Sequence, residues 1–568
     1  MKRLFSALLA LTLFAAVLSG CGEHSGDAGM EDPSKTPSGE EGIEATSVDK
    51  VWNGAAVIVL SDAQVTVDGT AAGTDPGEAV YTANDIVYYE TGKDFTYGEG
   101  TENDTHTQAE ADEHTVVHIT QPGTYVLEGA LSTGQIAVDL GKEATDDPDA
   151  VVTLILNGVD ITCTVAPGVI FYNVYECGKA DEETAIKDVD TSAAGANVII
   201  ADGSCNIVRG SYVARIYKPE SVVLSTDGRE VEDAKKLHKY DAAFYSKKTM
   251  NVNGETENSG RLYIYAENEG LDSELHLTIN GGRIYIQSGN DGINTNEDYV
   301  SVTTVNGGLL DIVVTGTTGE GDGIDSNGWL VINGGTVRAA AYGNSMDSGI
   351  DSDMGIHING GTVTATGNML GRLEAGGQNY AVFQFAQRQT GGVEYILKNE
   401  AGETVCSWTP ANDFSCLVFS GSNLAAGNYT LWCGESQMVG STGGFGGMQM
   451  PGSFPSGTQK PGEGEWEDFD LSDLPWTPVD GQRPERGDAP PDGKLPERMQ
   501  PPQWNQGNAG NLPIDPSQMS PPDDAQGGGR GPGMDGGFGT PTDNTELSEI
   551  FVIPVGGVTF GNVQLKPA

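Results

Sequence analysis

From Val51 onward the chain is written in short alternating runs of apolar and polar residues: AAVIVL, QVTVDG, TVVHITQPGTYVLEG, QIAVDL and VVTLILNGVDITC, separated by Gly, Asn, Asp and Pro. Period-two alternation over four to seven residues predicts strands with one buried face. No stretch sustains the i, i+3, i+4 apolar spacing of a helix, so little helix is expected. Between residues 244 and 366 the alternation itself repeats: YIYAENEGLDSELHLTINGG, YIQSGNDGINTNEDYVSVTTVNGG, GEGDGIDSNGWLVINGG, YGNSMDSGIDSDMGIHINGG. The first glycines of the Gly-Gly steps are Gly281, Gly307, Gly334 and Gly360, a period of 26 to 27 residues. Each unit predicts two short strands, with an acidic turn ahead of one and Asn-Gly-Gly after it. A fixed period of this size is the signature of a solenoid. The fold class expected is all-β, a parallel β-helix followed by a small antiparallel β module.

Alignment on the Gly-Gly step sorts the columns. Leu262 and Ile264, Ile284 and Ile286, Leu310 and Ile312, Val337 and Ala339, Val363 and Ala365 share one strand face and should stack as the core. Asn253, Asn280, Asn306, Asn333 and Asn359 precede the step, where an Asn column suits either left-handed backbone or an amide ladder. Between the core positions, the outward columns hold Arg261, Tyr263, Tyr265, Arg283, Tyr285 and Arg338. A row of tyrosines offers a stacking platform for sugar rings, and arginine adds bidentate bonds to carboxylates. Exposed sheet also favours aromatics for its own sake, so this feature alone decides nothing.

The acidic turns carry a sharper signal. Glu269-Gly-Leu-Asp272, Asp291-Gly-Ile-Asn294, Asp322-Gly-Ile-Asp325 and Ser348-Gly-Ile-Asp351 align, with Asp353 two positions beyond the last. Equivalent residues of adjacent coils sit about 4.8 Å apart. Two carboxylates at that distance repel by roughly 3 kcal/mol at an effective dielectric near 20. Protonation or splaying into solvent relieves this, and so does a hard cation held by oxygen ligands. Calcium is the cofactor expected, with Glu269, Asp272, Asp291, Asn294, Asp322, Asp325, Asp351 and Asp353 as candidate ligands.

Composition changes the picture around this repeat. Formal net charge is −51, which argues against nucleic acid or an anionic membrane surface as partner and for attraction of cations. Lys2 and Arg3 precede an apolar run to Leu18 and then Leu18-Ser19-Gly20-Cys21, a signal peptide ending in a lipobox. Residues 1–20 are therefore expected to be removed and Cys21 lipidated, placing the protein outside the cell and on the membrane by its anchor only. Residues 21–50 read as a flexible tether, and 51–109 as an irregular N-terminal cap. Residues 110–370 read as the β-helix, extended back from the repeat through LNGVDIT at 156–162. Residues 371–436 read as the β module. Residues 437–546, rich in Gly, Pro, Gln and Asp, read as a disordered insertion, and 547–568 as strands that return to complete the module. The remaining cysteines, three in each half, suit one bridge per half with one left over, or plain buried thiols.

Together the lipobox, the LNGVDIT coil, the [DS]GI[DN][ST] turns and the INGG[TR][VI] strands resemble a family of secreted bacterial carbohydrate-binding proteins. The resemblance covers roughly residues 110–436. It implies a right-handed parallel β-helix with bound calcium and affinity for polysaccharides of cellulose and pectin type. Asn294 and Ser348 in the acidic columns, the extra residues at 313–321 and the long insertion depart from that pattern. The expected function is non-catalytic polysaccharide binding. The alternatives are a calcium-dependent, pectate-lyase-like enzyme and an adhesin for a protein partner. A lyase needs acids and a basic residue converging in one groove. The acids here are spread evenly over consecutive coils, and no Lys recurs beside them in the repeat.

Overall fold

Three parallel ladders organise the molecule. The computed structural model describes residues 43–442 and 547–567; the signal peptide, Cys21 with most of its tether, and nearly all of the expected insertion lie outside the described residues. Among the described residues helix is confined to Gln108–Asp112 and short 3-10 turns. The strands form one large mixed sheet, a second sheet of seven strands and two small two-stranded sheets.

The first ladder stacks Met250–Gly254, His276–Ile279, Val302–Val305, Trp329–Ile332 and Gly355–Ile358 in parallel. It continues back through Ala196–Ile200, Val152–Cys163 and Gly123–Leu131 to Ala56–Leu60, well before residue 110. The second stacks Cys205–Gly210, Arg261–Ala266, Arg283–Ser288, Leu309–Val314, Thr336–Ala340 and Thr362–Gly367. The third runs through what the sequence suggested were turns. It stacks Thr115–Ile119, Gly134–Asp139, Val169–Asn173, Ala242–Ser246, Glu269–Ser273 and Ile293–Thr295. It then continues as single parallel bridges from Ile293 to Ile324 to Ile350. Two strands per unit are thus corrected to three, because the Gly-Ile/Leu-Asp segment is itself extended and paired.

The ladders share one interior. Ile264, Ile286, Ile312, Ala339 and Ala365 are each at most 2% exposed. They join Ile279, Val305, Ile332 and Ile358 of the first ladder and Leu271, Ile293, Ile324 and Ile350 of the third in a single cluster. Between the first and second ladders runs the amide column. Asn280 Nδ2 donates to Asn253 Oδ1 at 2.9 Å, Asn306 to Asn280 at 2.8 Å, Asn333 to Asn306 at 2.9 Å and Asn359 to Asn333 at 2.8 Å. Left-handed backbone falls instead on the second glycine of the step, at φ +83° for Gly308 and +79° for Gly335. A Cβ on Gly335 would also lie 2.8 Å from the Gly307 carbonyl carbon of the preceding coil, so both demands require glycine here.

At Thr362–Gly367 the pairing turns antiparallel, onto Phe414–Gly421. That strand pairs with Tyr380–Gln389, which in turn pairs in parallel with Val558–Leu565. Ser436–Thr442 closes on Val558–Leu565, and Phe551–Ile553 pairs with Gly427–Cys433. Phe383, Phe385, Phe414, Phe419, Phe551 and Phe560 form this region's own core. It covers an edge that an open parallel stack would leave exposed to further pairing. The six cysteines after Cys21 are free thiols, so the expected bridges are absent; Cys163, Cys205, Cys406 and Cys416 are buried. No helix among the described residues is long and apolar enough to cross a membrane.

Candidate metal centre and outward face

On the third ladder, Ala242 lies opposite Glu269 and Tyr245 opposite Asp272. This register sets Asp241, the residue before the strand, beside Glu269 and Asp272. One carboxylate oxygen from each of the three lies within 4.8 Å of the others. Their residues are 7%, 5% and 0% exposed. Pairwise repulsion among such charges is roughly 3 kcal/mol even at an effective dielectric of 20. Burial, and after it the charges of Asp272 and Asp241, hold the Glu269 carboxyl well above the usual carboxylate range. Burial and then Asp241 do the same to Asp272, and burial raises Asp241 against the pull of Lys239.

The oxygens around the cluster are incompletely satisfied. Asn296 Nδ2 donates to both Asp272 oxygens at 2.9 and 3.0 Å, and Asn294 Nδ2 reaches Glu269 Oε1 at 3.4 Å. Glu269 Oε2 and Asn294 Oδ1 are buried and accept no hydrogen bond from the described residues. Asn294 stands one rung from Asp272 on the same ladder. Buried acceptors without donors, all of them oxygen, fit a hard cation such as calcium.

Sequence reasoning missed two members. Asp241 precedes a coil whose Ala-Ala-Phe-Tyr lacks the acidic signature of the later ones. Lys239 lies outside the repeat, yet its Nζ is 2.6 Å from Asp241 Oδ2. No lysine recurs beside the acids from coil to coil, but this single one reaches them from outside the repeat. Burial lowers the Lys239 pKa, but the carboxylates of Asp241 and its neighbours outweigh that and raise it overall.

The other expected ligands follow one another along the ladder. Asp291 Oδ1 accepts from the Asp322 amide at 2.7 Å, and Asp322 Oδ1 from the Ser348 amide at 2.5 Å. Burial and then Asp325 push Asp291 up to about 7; burial and then Asp291 push Asp322 up to about 9; burial and then Asp351 push Asp325 up to about 7. Asp351 and Asp353 are raised as well, by burial first, and Asp353 is exposed. Among the described residues, the carboxylates that converge as a group of three are Asp241, Glu269 and Asp272.

The outward face of the second ladder divides. Tyr263 and Tyr285 stack with ring centroids 4.7 Å apart and 10° between planes. The expectation that Tyr263 is exposed is corrected: it is 2% exposed, because Ile43 and Ala45 pack over the cluster it forms with Cys205 and Ile207. Thr46 bridges to Cys205 and holds that segment in place. Arg261 pairs in register with Arg283, and Arg338 Nη1 reaches Asp311 Oδ2 at 3.5 Å. Tyr265 is half-buried beneath the Arg209 guanidinium, 5.6 Å from its ring centroid.

Residues 113–180 and 216–375 match the model of a family described as carbohydrate-binding domain-containing protein. Among solved structures, the chain is similar to a polysaccharide lyase-like protein from C. thermocellum, with 20% identity, 54% of this chain and 92% of that chain covered, and a TM-score of 0.30. At that score the likeness carries no argument. No curated protein matches the chain. The acidic cluster and every tyrosine and arginine that the sequence singled out lie inside the family match, and that part of the chain is similar to carbohydrate-binding domains.

Proposed function

We propose that this chain is a cell-surface lipoprotein that binds polysaccharide of cellulose or pectin type without cleaving it, on a right-handed parallel β-helix whose acidic column holds calcium. The observation that carries the reading is the family match at 216–375, which spans the coils bearing Tyr265, Tyr285 and the arginines beside them. Asp241, Glu269 and Asp272 would supply carboxylate oxygens to the ion and Asn294 its amide oxygen. The bound charge would relieve the repulsion among them. Cys21 would carry the lipid, and Cys21→Ala should move the protein from the membrane fraction to the medium.

Lysine 239 gives the lyase reading a specific footing, since an acid cluster with a lysine is what proton abstraction beside calcium requires. Its ammonium is paired with Asp241 and held above its ordinary value, which disfavours the neutral amine a base must be. The binding reading predicts no rise in unsaturated-product absorbance when the protein is incubated with polygalacturonate and calcium. A steady rise would establish the lyase. Pull-down on insoluble polysaccharides, with and without calcium, tests binding itself, and failure to retain the protein on any of them would remove the reading.

A further inference from the structure

The second ladder carries a cleft of about 550 Å³ on its outward side, next to the Tyr263–Tyr285 stack, since Tyr265 lines the cleft and also packs against that cluster. Its floor is one row in register across four coils: Thr162 opposite Arg209, Arg209 opposite Tyr265, Tyr265 opposite Gln287. Glu267 and Thr315 line it further along the strands. Coils advance by about 4.8 Å, so the row offers a straight run of about 14 Å.

We propose that this cleft binds a neutral, hydroxyl-rich glycan chain laid along the row, in preference to a polyuronate. The inference rests on the polysaccharide-binding reading and names the ligand class and the place. Two features of the lining carry it. Arg209 Nη1 is 2.6 Å from Asp160 Oδ1, so the cation in the cleft is balanced by its own acid. Glu267 adds a further negative charge, and the whole chain is at −51. A uronate carboxylate entering here meets like charge. The second feature is the amphipathic floor. The Tyr265 hydroxyl is buried and the Arg209 guanidinium lies over its ring, so this part of the floor is the stacked Arg209–Tyr265 pair, a flat apolar and cationic surface. Threonines flank it; the Thr315 and Thr317 hydroxyls donate to the Ser288 and Glu267 carbonyls, which leaves their oxygens as acceptors, and the Gln287 amide adds both donor and acceptor at the edge. Sugar rings present apolar C–H faces and hydroxyl rims, which match that alternation. The Arg261–Arg283 pair, the place on this sheet where a carboxylate would be welcome, sits four residues away along the strands, about 13 Å.

The test is calorimetric titration of the mature full chain with a neutral hexasaccharide of β-1,4-linked glucose and with hexagalacturonate, each with calcium and with EGTA. The neutral sugar is expected to bind in both conditions. Tyr265→Ala, which removes the apolar part of that floor and the support under Arg209, should weaken it about tenfold, and Gln287→Ala severalfold, while any hexagalacturonate binding is unchanged by either. Gln287→Ala keeps the test open if Tyr265→Ala fails to fold, which its melting curve reports. Preference for hexagalacturonate, or neutral binding that both variants leave intact, overturns this inference and leaves polysaccharide binding standing. Absence of binding by every glycan tried overturns both.

Discussion

The amide column and the acidic column are built by the same repeat on different sides of one interior, and they answer stacking in opposite ways. In the first, each Asn donates to the Asn of the preceding coil and accepts from the next, so the bonds at 2.8–2.9 Å close on themselves in the open. An amide carries both donor and acceptor, so identical side chains at strand spacing complement each other. Carboxylates carry acceptors alone. On the third ladder burial first, and then their neighbours' charges, raise their pKa, and Glu269 Oε2 is left without a donor. A repeat thus multiplies whatever its residues do to their own kind: self-complementary groups gain with every coil, and like charges accumulate a debt that needs an outside partner.

The largest expected effect comes from withdrawing that partner. If calcium is present at a thousandfold over its Kd it contributes about 4 kcal/mol. EGTA should then lower the melting temperature by several degrees or more. An unchanged melt would remove calcium from the acidic column and leave protonation as its remedy.

The second effect is a pH dependence that only the acidic column shows. Asp322 is pushed up to about 9, and Asp291 and Asp325 to about 7, against about 3.9 for an unfolded aspartate. A raised carboxyl binds more protons folded than unfolded. Its contribution to stability is complete below about pH 4 and is lost as pH climbs through about 7 to 9. In EGTA the melting temperature should fall steadily across that window. Calcium should flatten the fall, because the bound ion takes over the role of the proton. A melt in EGTA that rises with pH over the same range would mean the carboxyls are stabilised as anions by something else.

Much of this comparison could be read from the chain. The period, the inward Ile and Leu columns and the Asn column follow from residue spacing, because each depends on contacts between a residue and its own equivalents one coil away. Asp241 and Lys239 did not follow. They enter from a segment outside the repeat, and their register with Glu269 is set by the Ala242–Ser246 strand, whose side chains resemble those of ordinary strands. The third ladder looks like a set of turns in the sequence because Gly-Ile-Asp is short and glycine-rich; pairing with its equivalents above and below makes it extended. Burial of Tyr263 was invisible for a similar reason, since its cover, Ile43 and Ala45, lies in a stretch whose composition suggests a free tether.

The smallest effects give the sharpest test, because without calcium an amide should be preferred to a carboxylate in both columns, and calcium should reverse that preference in the acidic column alone. At pH 8 in EGTA, Asp272→Asn relieves the crowding of carboxyls beside Asp241 and Glu269 while keeping one of the two bonds from Asn296 Nδ2, and should raise the melting temperature by a few degrees. With calcium it should lower it, since a ligand is lost. Asn306→Asp performs the reverse exchange in the amide column. Its carboxylate still accepts from Asn333 Nδ2 but has nothing to donate to Asn280 Oδ1, whose bond is 2.8 Å in the native chain. The site is exposed and water can replace that donor, so the loss should be about 1 kcal/mol and indifferent to calcium. Asn306→Ala, which forfeits both bonds without adding charge, should fall at or somewhat beyond the same value. Should Asn306→Asp stabilise, or Asp272→Asn destabilise the calcium-free protein, self-complementarity would not be what separates the two columns. Burial alone would then be the difference between them.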